Sequence, residues 1–121
     1  MTHVEESIRR IERYYELVDR DDIAALVSLF TADAVYERPG YPPIKGNDAL
    51  ERFYREDRVI ATGKHSLRGV VAEKDKIAVH GDFAGRLKDG QSVSLRFADF
   101  FRITPEGRIS RRDTFFFSPL V

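Results

Sequence analysis

The chain has 121 residues, 42% hydrophobic and 33% charged, which suits one globular domain with a single core and excludes a disordered tract. Twenty basic and twenty acidic residues cancel, so no overall field draws nucleic acid or an anionic membrane, and neither is expected as a partner. No cysteine is present, which excludes disulfides, thiol catalysis and cysteine-ligated metals and fits a cytoplasmic location; no stretch reads as a signal peptide or approaches the roughly 20 apolar residues of a membrane helix.

The first element reads as a helix. Thr2 and Glu5 fit a capping box, and Val4, Ile8, Ile11, Tyr15 and Val18 recur at helical spacing, with Tyr14 and Leu17 beside that stripe. A shorter helix starts at Asp21 or Asp22 and carries Ile23, Leu26, Val27 and Phe30 inward. "TADAVYERPGYPP" reads as a short strand and a Pro/Gly loop. Asn47 then caps a third helix with Leu50, Phe53, Tyr54 and Ile60 on its buried side and Gly63 at its end. From about Lys64 the pattern changes to strands. Three turn signals, Lys74-Asp75, Asp89-Gly90 and Pro105-Glu106-Gly107, separate segments rich in β-branched and aromatic residues and predict a four-stranded antiparallel meander. Three helices followed by a curled sheet predict a single α+β domain spanning 1–121.

Within "RFADFF" an aspartate, Asp99, stands among aromatic neighbours, although a carboxylate in an apolar core is costly unless something answers it. A two-residue bend at Asp89-Gly90 sets Lys88 against Gln91 and counts back to His80 opposite Asp99 and Asp82 opposite Phe97. A similar count about Lys74-Asp75 sets His65 opposite Ala84 and Leu67 opposite Asp82. Alternation then gathers His65, Leu67, His80, Asp82, Leu95, Phe97, Asp99 and Phe101 on the surface beneath the helices. The other surface receives Val79, Phe83, Leu87, Arg96, Phe100 and Arg102, and Phe83 beside Phe100 predicts a homodimer contact. Ionisable groups converging on an apolar-lined surface predict a functional pocket for a small hydrophobic ligand. The three histidines lack metal-site spacing, so neither metal nor cofactor is expected.

In "RYYELVDRDD", "LFTADAVYERPG" and "DGQSVSLRFADFFRITPEGRI" the chain resembles the nuclear-transport-factor-2-like superfamily, which includes ketosteroid isomerases and SnoaL-like polyketide cyclases. The anchors keep their order over almost the whole chain. The resemblance implies a cone-shaped barrel: a curved, mainly antiparallel sheet covered by three N-terminal helices. It also implies that Tyr14 and Asp99 act as the donor pair that holds a developing enolate, as a tyrosine and a protonated aspartic acid do in ketosteroid isomerase. The sequence departs from that family at the base, because the position before Pro39 holds Arg38, and a guanidinium cannot abstract a proton. The catalytic set expected is Tyr14, Asp99, His80 and Asp82, with His80 or Asp82 moving the proton. Arg38, His65, Phe97, Phe101, Tyr54 and Thr114 are expected to bind substrate.

Two other kinds of member supply alternatives. Scytalone-dehydratase-like proteins use tyrosines, two histidines and an aspartate, a set that His65, His80, Asp99 and Tyr14 resemble in kind. Limonene-epoxide-hydrolase-like proteins use an aspartate–arginine–aspartate arrangement, for which Asp82, Asp99 and Arg38 or Arg112 are candidates. In "RRDTFFF", Asp113 comes one residue early for the second aspartate, so it turns outward and leaves Thr114 facing in. The activity expected is cofactor-free acid–base chemistry of isomerase, cyclase or dehydratase type. The alternative is a non-catalytic ligand-binding or protein-interaction module of the same fold.

Overall fold

The computed structural model describes residues 3–118, so the Thr2 half of the expected capping box lies outside the described residues. Helix α1 (His3–Asp19) buries Ile11, Tyr14, Tyr15, Leu17 and Val18 on one face, as the helical spacing requires. Asp22 caps α2 (Ile23–Ser28), its Oδ1 accepting from the Ala25 N–H at 3.4 Å. Strands β1 (Phe30–Glu37) and β2 (Ile44–Lys45) follow, then α3 (Asn47–Arg52). Gly46, at φ 87°, occupies the cap position expected for Asn47, which instead opens the helix.

Beyond α3 the chain widens into one π-helical turn, Phe53–Asp57, closed by Arg58 N–H to Phe53 O at 2.9 Å. Such turns are rare and are found frequently at functional sites. The turn brings both Phe53 and Tyr54 into the core. Gly63 does not end this segment. It lies inside β3 (Ile60–Glu73), with Ile60 at that strand's first position, and a Cβ on Gly63 would run into the Phe83 ring.

With β4 (Lys76–Leu87), β5 (Ser92–Ile103) and β6 (Ile109–Phe116), the strands form one curved, unclosed sheet of order β2-β1-β6-β5-β4-β3. All neighbours are antiparallel except β1 and β6. The meander is therefore as expected, and β1 and β2 extend it. The helices cover the concave side, and Tyr14, Phe30, Tyr36, Leu50 and Phe101 are buried between the layers. No helix among the described residues is long and apolar enough to cross a membrane.

The β4–β5 turn is one residue longer than the expected bend. Leu87 N–H bonds Gln91 O at 2.8 Å, Gly90 N–H bonds Leu87 O at 2.9 Å, and Gly90 has φ 91°. A three-residue loop ending in a left-handed glycine is the next commonest hairpin connection after the two-residue kind. The single extra residue inverts β4 against β5. Val79, not His80, stands opposite Asp99; His80 faces Ala98 and Asp82 faces Arg96 on the convex side. Val79 and Phe83 are buried, whereas they were expected outside.

The Lys74-Asp75 turn has two residues as expected, with Glu73 opposite Lys76. A bulge between Leu67 and Gly69 then shifts the register, so His65 faces Phe83 rather than Ala84, and Leu67 faces Gly81. For His65 the two displacements cancel, and it stays on the concave side. On the convex side Phe115, rather than Phe83, neighbours Phe100, their ring centroids 5.8 Å apart.

Candidate active site

Strand β6 alternates so that Arg112 and Thr114 both point into the cone beside Asp99 of β5, which faces Thr114 directly. Arg112 grips Asp99 with a two-pronged fork, Nε donating to Oδ1 at 3.1 Å and Nη2 to Oδ2 at 2.9 Å. The Tyr15 hydroxyl donates to Oδ2 and the Thr114 hydroxyl to Oδ1. Asp99, fully buried, thus faces four donors, two on each oxygen. The expected role as a protonated hydrogen-bond donor is not what this geometry builds.

The remaining prong, Arg112 Nη1, donates to the Tyr14 hydroxyl and, at 3.3 Å, to that of Tyr54. The two hydroxyls are 2.5 Å apart. Tyr14 is fully enclosed, so its own proton must go to Tyr54, and the Tyr54 proton is left for the cavity that Tyr54 lines. Burial raises the pKa of Tyr14 well above the ordinary tyrosine value and raises that of Tyr54, so both remain phenols. Burial alone would lower the Arg112 pKa, but Asp99 and the surrounding tyrosine oxygens push it well above its usual value.

A second dyad stands on β3. Asp19, the last residue of α1, accepts the His65 backbone N–H at 2.9 Å on Oδ2 and the ring Nδ1–H at 2.6 Å on Oδ1. The carboxylate fixes the tautomer: Nδ1 carries the proton and Nε2 keeps its lone pair. Burial lowers the His65 pKa from its ordinary value, and the Asp19 hydrogen bond opposes that shift without cancelling it. The ring lies among Tyr15, Phe83 and Phe97, at centroid distances of 5.0, 4.7 and 5.3 Å. At neutral pH this is an uncharged, oriented imidazole.

His65, Tyr54, Arg112, Thr114, Arg38 and Phe97 all line one interior cavity of about 30 Å³, closed further by Phe83, Leu95, Phe116 and Arg58. Five of the six expected substrate-binding residues therefore meet there. The sixth, Phe101, lies behind the wall, its ring 5.6 Å from that of Tyr14. Tyr14 and Asp99 do not line the cavity; they stand behind Arg112, Tyr54 and Thr114, which do. His80 and Asp82 do not belong to the site: His80 is exposed on the convex side, and Asp82 makes an exposed ion pair with Arg68 at 2.7 Å. Arg38 donates to the Tyr36 hydroxyl at 3.3 Å and packs over the Tyr41, Phe53 and Phe116 rings.

Sequence reasoning missed Tyr15 as a ligand of Asp99, Asp19 as the partner of His65, and Arg58. The signal for Asp19 was present, because it follows Tyr15 by one helical turn and so shares its inward face. Nothing local marks Arg58.

The family model for the SnoaL-like domain matches residues 11–112. Among solved structures, the fold is similar to that of SalBIII, an epoxide hydrolase/cyclase-like enzyme of pyran ring formation in the polyether salinomycin, at 22% identity over 93% of this chain and 91% of that one, TM-score 0.82. It is similar also to an LEH-like epoxide hydrolase of M. tuberculosis (18% identity, 95% and 85% covered, TM-score 0.82). An NTF2-like protein of unknown function from Burkholderia pseudomallei matches at 19% identity, 91% and 89% covered, TM-score 0.82. At these identities the likeness is one of fold.

Asp99→Ala strands the Arg112 cation in the core and is expected to cost about 3–5 kcal/mol in urea unfolding, against about 0–1 kcal/mol for Asp82→Ala on the surface. His65 adds a pH term. Because its folded pKa is lowered, the unfolded chain binds the extra proton first, so stability present above about pH 6.5 falls as the pH drops from there toward the folded value. Urea midpoints compared at pH 7.5 and pH 5 should show a smaller drop in His65→Gln than in the parent.

Proposed function

The chain belongs to the SnoaL-like domain family, and within it we propose a cofactor-free acid–base catalyst, of dehydratase, cyclase or isomerase kind, for a small hydrophobic cyclic carbonyl compound. The observation that carries this is the convergence of two opposite capabilities on one cavity. His65 Nε2 offers a lone pair, and the Tyr54 hydroxyl, polarised by Arg112 Nη1 behind it, offers a hydrogen. A C–H beside a substrate carbonyl gives its proton to His65 Nε2. Asp19 steadies the imidazolium that forms, and the negative charge moves to the carbonyl oxygen, where Tyr54, polarised by Arg112, receives it. Where a hydroxyl sits one carbon further on, its C–O bond breaks as the double bond forms, and the His65 proton leaves with it as water. The base thus comes from β3 and α1, not from β4.

The lowered His65 pKa suits this role, since a base must be unprotonated at working pH. Arg112 stays charged whatever the pH of the medium, so polarisation does not titrate. NMR of a panel of cyclic ketones and hydroxyketones in deuterated water tests the reading. The parent should exchange or dehydrate at least one member, and His65→Gln should lower that rate by about 10²–10⁴-fold. His80→Ala should leave it unchanged. Equal rates in parent and His65→Gln would remove the proposed base.

One observation favours a second reading, a ligand-binding or interaction module without catalysis. The cavity, at about 30 Å³, is far below the roughly 300–1,000 Å³ of small-molecule sites. Substrate entry needs side chains to move, and a panel in which nothing binds or reacts would support the module.

As partner we propose a second copy of this chain. Val71, Phe100 and Phe115 are exposed on the convex face of the sheet, where a shallow depression is flanked by Glu73 and Asp113 as well as Lys76 and Arg102. Charges of both signs around an apolar centre are self-complementary under a two-fold axis. Sedimentation equilibrium should give a dimer at micromolar concentration, and Phe100→Asp should shift it to monomer; a monomeric parent would overturn this.

A further inference from the structure

Three arginines line the cavity and no carboxylate does: Arg38, Arg58 and Arg112 stand on its wall with His65, and all other lining groups are uncharged. Arg112 is answered by Asp99 behind it. Arg58 is not answered. It is 9% exposed, and among the described residues no carboxylate pairs with its guanidinium. A nearly buried cation without a counter-charge is unfavourable, and an anion arriving beside it would relieve that cost.

Arg58 also holds a singular position. It is the one residue common to the walls of the interior cavity and of a surface groove of about 620 Å³ lined by Tyr41, Val59, Leu87 and Lys88. Its side chain therefore borders both spaces. The π-helical turn just before it sets its place, because the Arg58 N–H closes that turn on Phe53 O. Glu56, Asp57 and Asp89 also border the groove, but they are exposed to water, which weakens their pull, and none of them forms an ion pair with the Arg58 guanidinium.

We propose that the site takes a hydrophobic monoanion, a ring compound bearing a carboxylate, whose two oxygens are received by the Arg58 guanidinium as it swings from the cavity mouth. Arg58, bordering both groove and cavity, is then the anchor of the ligand's charge, while the ring passes to the Phe97 and Phe116 surfaces. This deepens the catalytic reading above by naming the substrate class, and it rests on that same cavity. It requires no turnover.

The test uses benzoate and benzamide, matched in shape and differing in charge, neither with a proton for His65 to abstract. Titration of the full chain by calorimetry, and by NMR of the arginine Nε–H signals, should show benzoate at least tenfold tighter than benzamide, with the Arg58 signal moving. In Arg58→Gln the preference should fall below about twofold. Arg58→Lys, which keeps the charge, should retain most of the preference and serves if the glutamine variant does not fold. Equal affinity for the two probes, no binding of either, or a preference that survives in Arg58→Gln each overturns the proposal. His65→Gln should keep the preference, so loss of turnover there with anion selection intact separates the base assignment from this one.

Discussion

A guanidinium and a carboxylate locked together inside the cone set the geometry of everything around them. The Arg112–Asp99 fork is fully enclosed, and such a pair adds little to stability, because desolvation of both ions offsets their attraction. Its effect is positional. With Nε and Nη2 occupied by Asp99, Nη1 has one direction left, toward the hydroxyls of Tyr14 and Tyr54. Tyr14 and Tyr15 belong to α1, Tyr54 to the π-helical turn, Thr114 to β6 and Asp99 to β5. One ion pair therefore ties the helical layer to the sheet and aims a row of phenols. A neutral core of the same volume would hold the layers together, but it would not decide which way a hydroxyl proton points.

The fold was legible because its signals are redundant. The inward stripe of α1, the cap at Asp22 and three turn sequences each specify an element on their own, and they agree. The site was legible only in part, because it depends on register, which a single residue decides. Asp-Gly at a hairpin is compatible with a two-residue turn or with the last two positions of a three-residue turn, both of which place glycine at positive φ. Packing chose the longer one. It puts Val79 and Phe83 inside and leaves His80 and Asp82 in water, whereas the shorter one buries an imidazole and a carboxylate and exposes two large apolar groups. The alternation of β4 itself, "IAVHGDFAG", favoured that outcome, and the apparent His80–Asp99 pairing was the weaker signal.

Moving His80 out of the site does not leave it without an imidazole. His65 takes the position, and it is better supplied. A histidine opposite an aspartate already held by an arginine fork would compete for the same oxygens, and its basicity would follow that competition. His65 has a carboxylate of its own, from a different element, and Asp19 is in turn fixed by the His65 backbone N–H. Acceptor and donor halves of the site thus rest on separate supports, Asp19 for one and Asp99 for the other. Two carboxylates with distinct neighbours do distinct work: one orients an imidazole, the other immobilises a cation.

The small volume of the cavity follows from the same economy of charge. Arginine guanidinium groups repel, and three of them around an empty space of about 30 Å³ are held by neighbours outside that space: Asp99 for Arg112, and the aromatic faces and the Tyr36 hydroxyl for Arg38. Arg58 has the groove on its other side, where water reaches it. Its best position without ligand is therefore at the boundary, partly solvated, with its stem closing the cavity. An anion entering from the groove removes the reason for that position, because its carboxylate takes the place of water around the guanidinium. Closure of the empty site and affinity for a carboxylate are two consequences of one unpaired cation at the mouth.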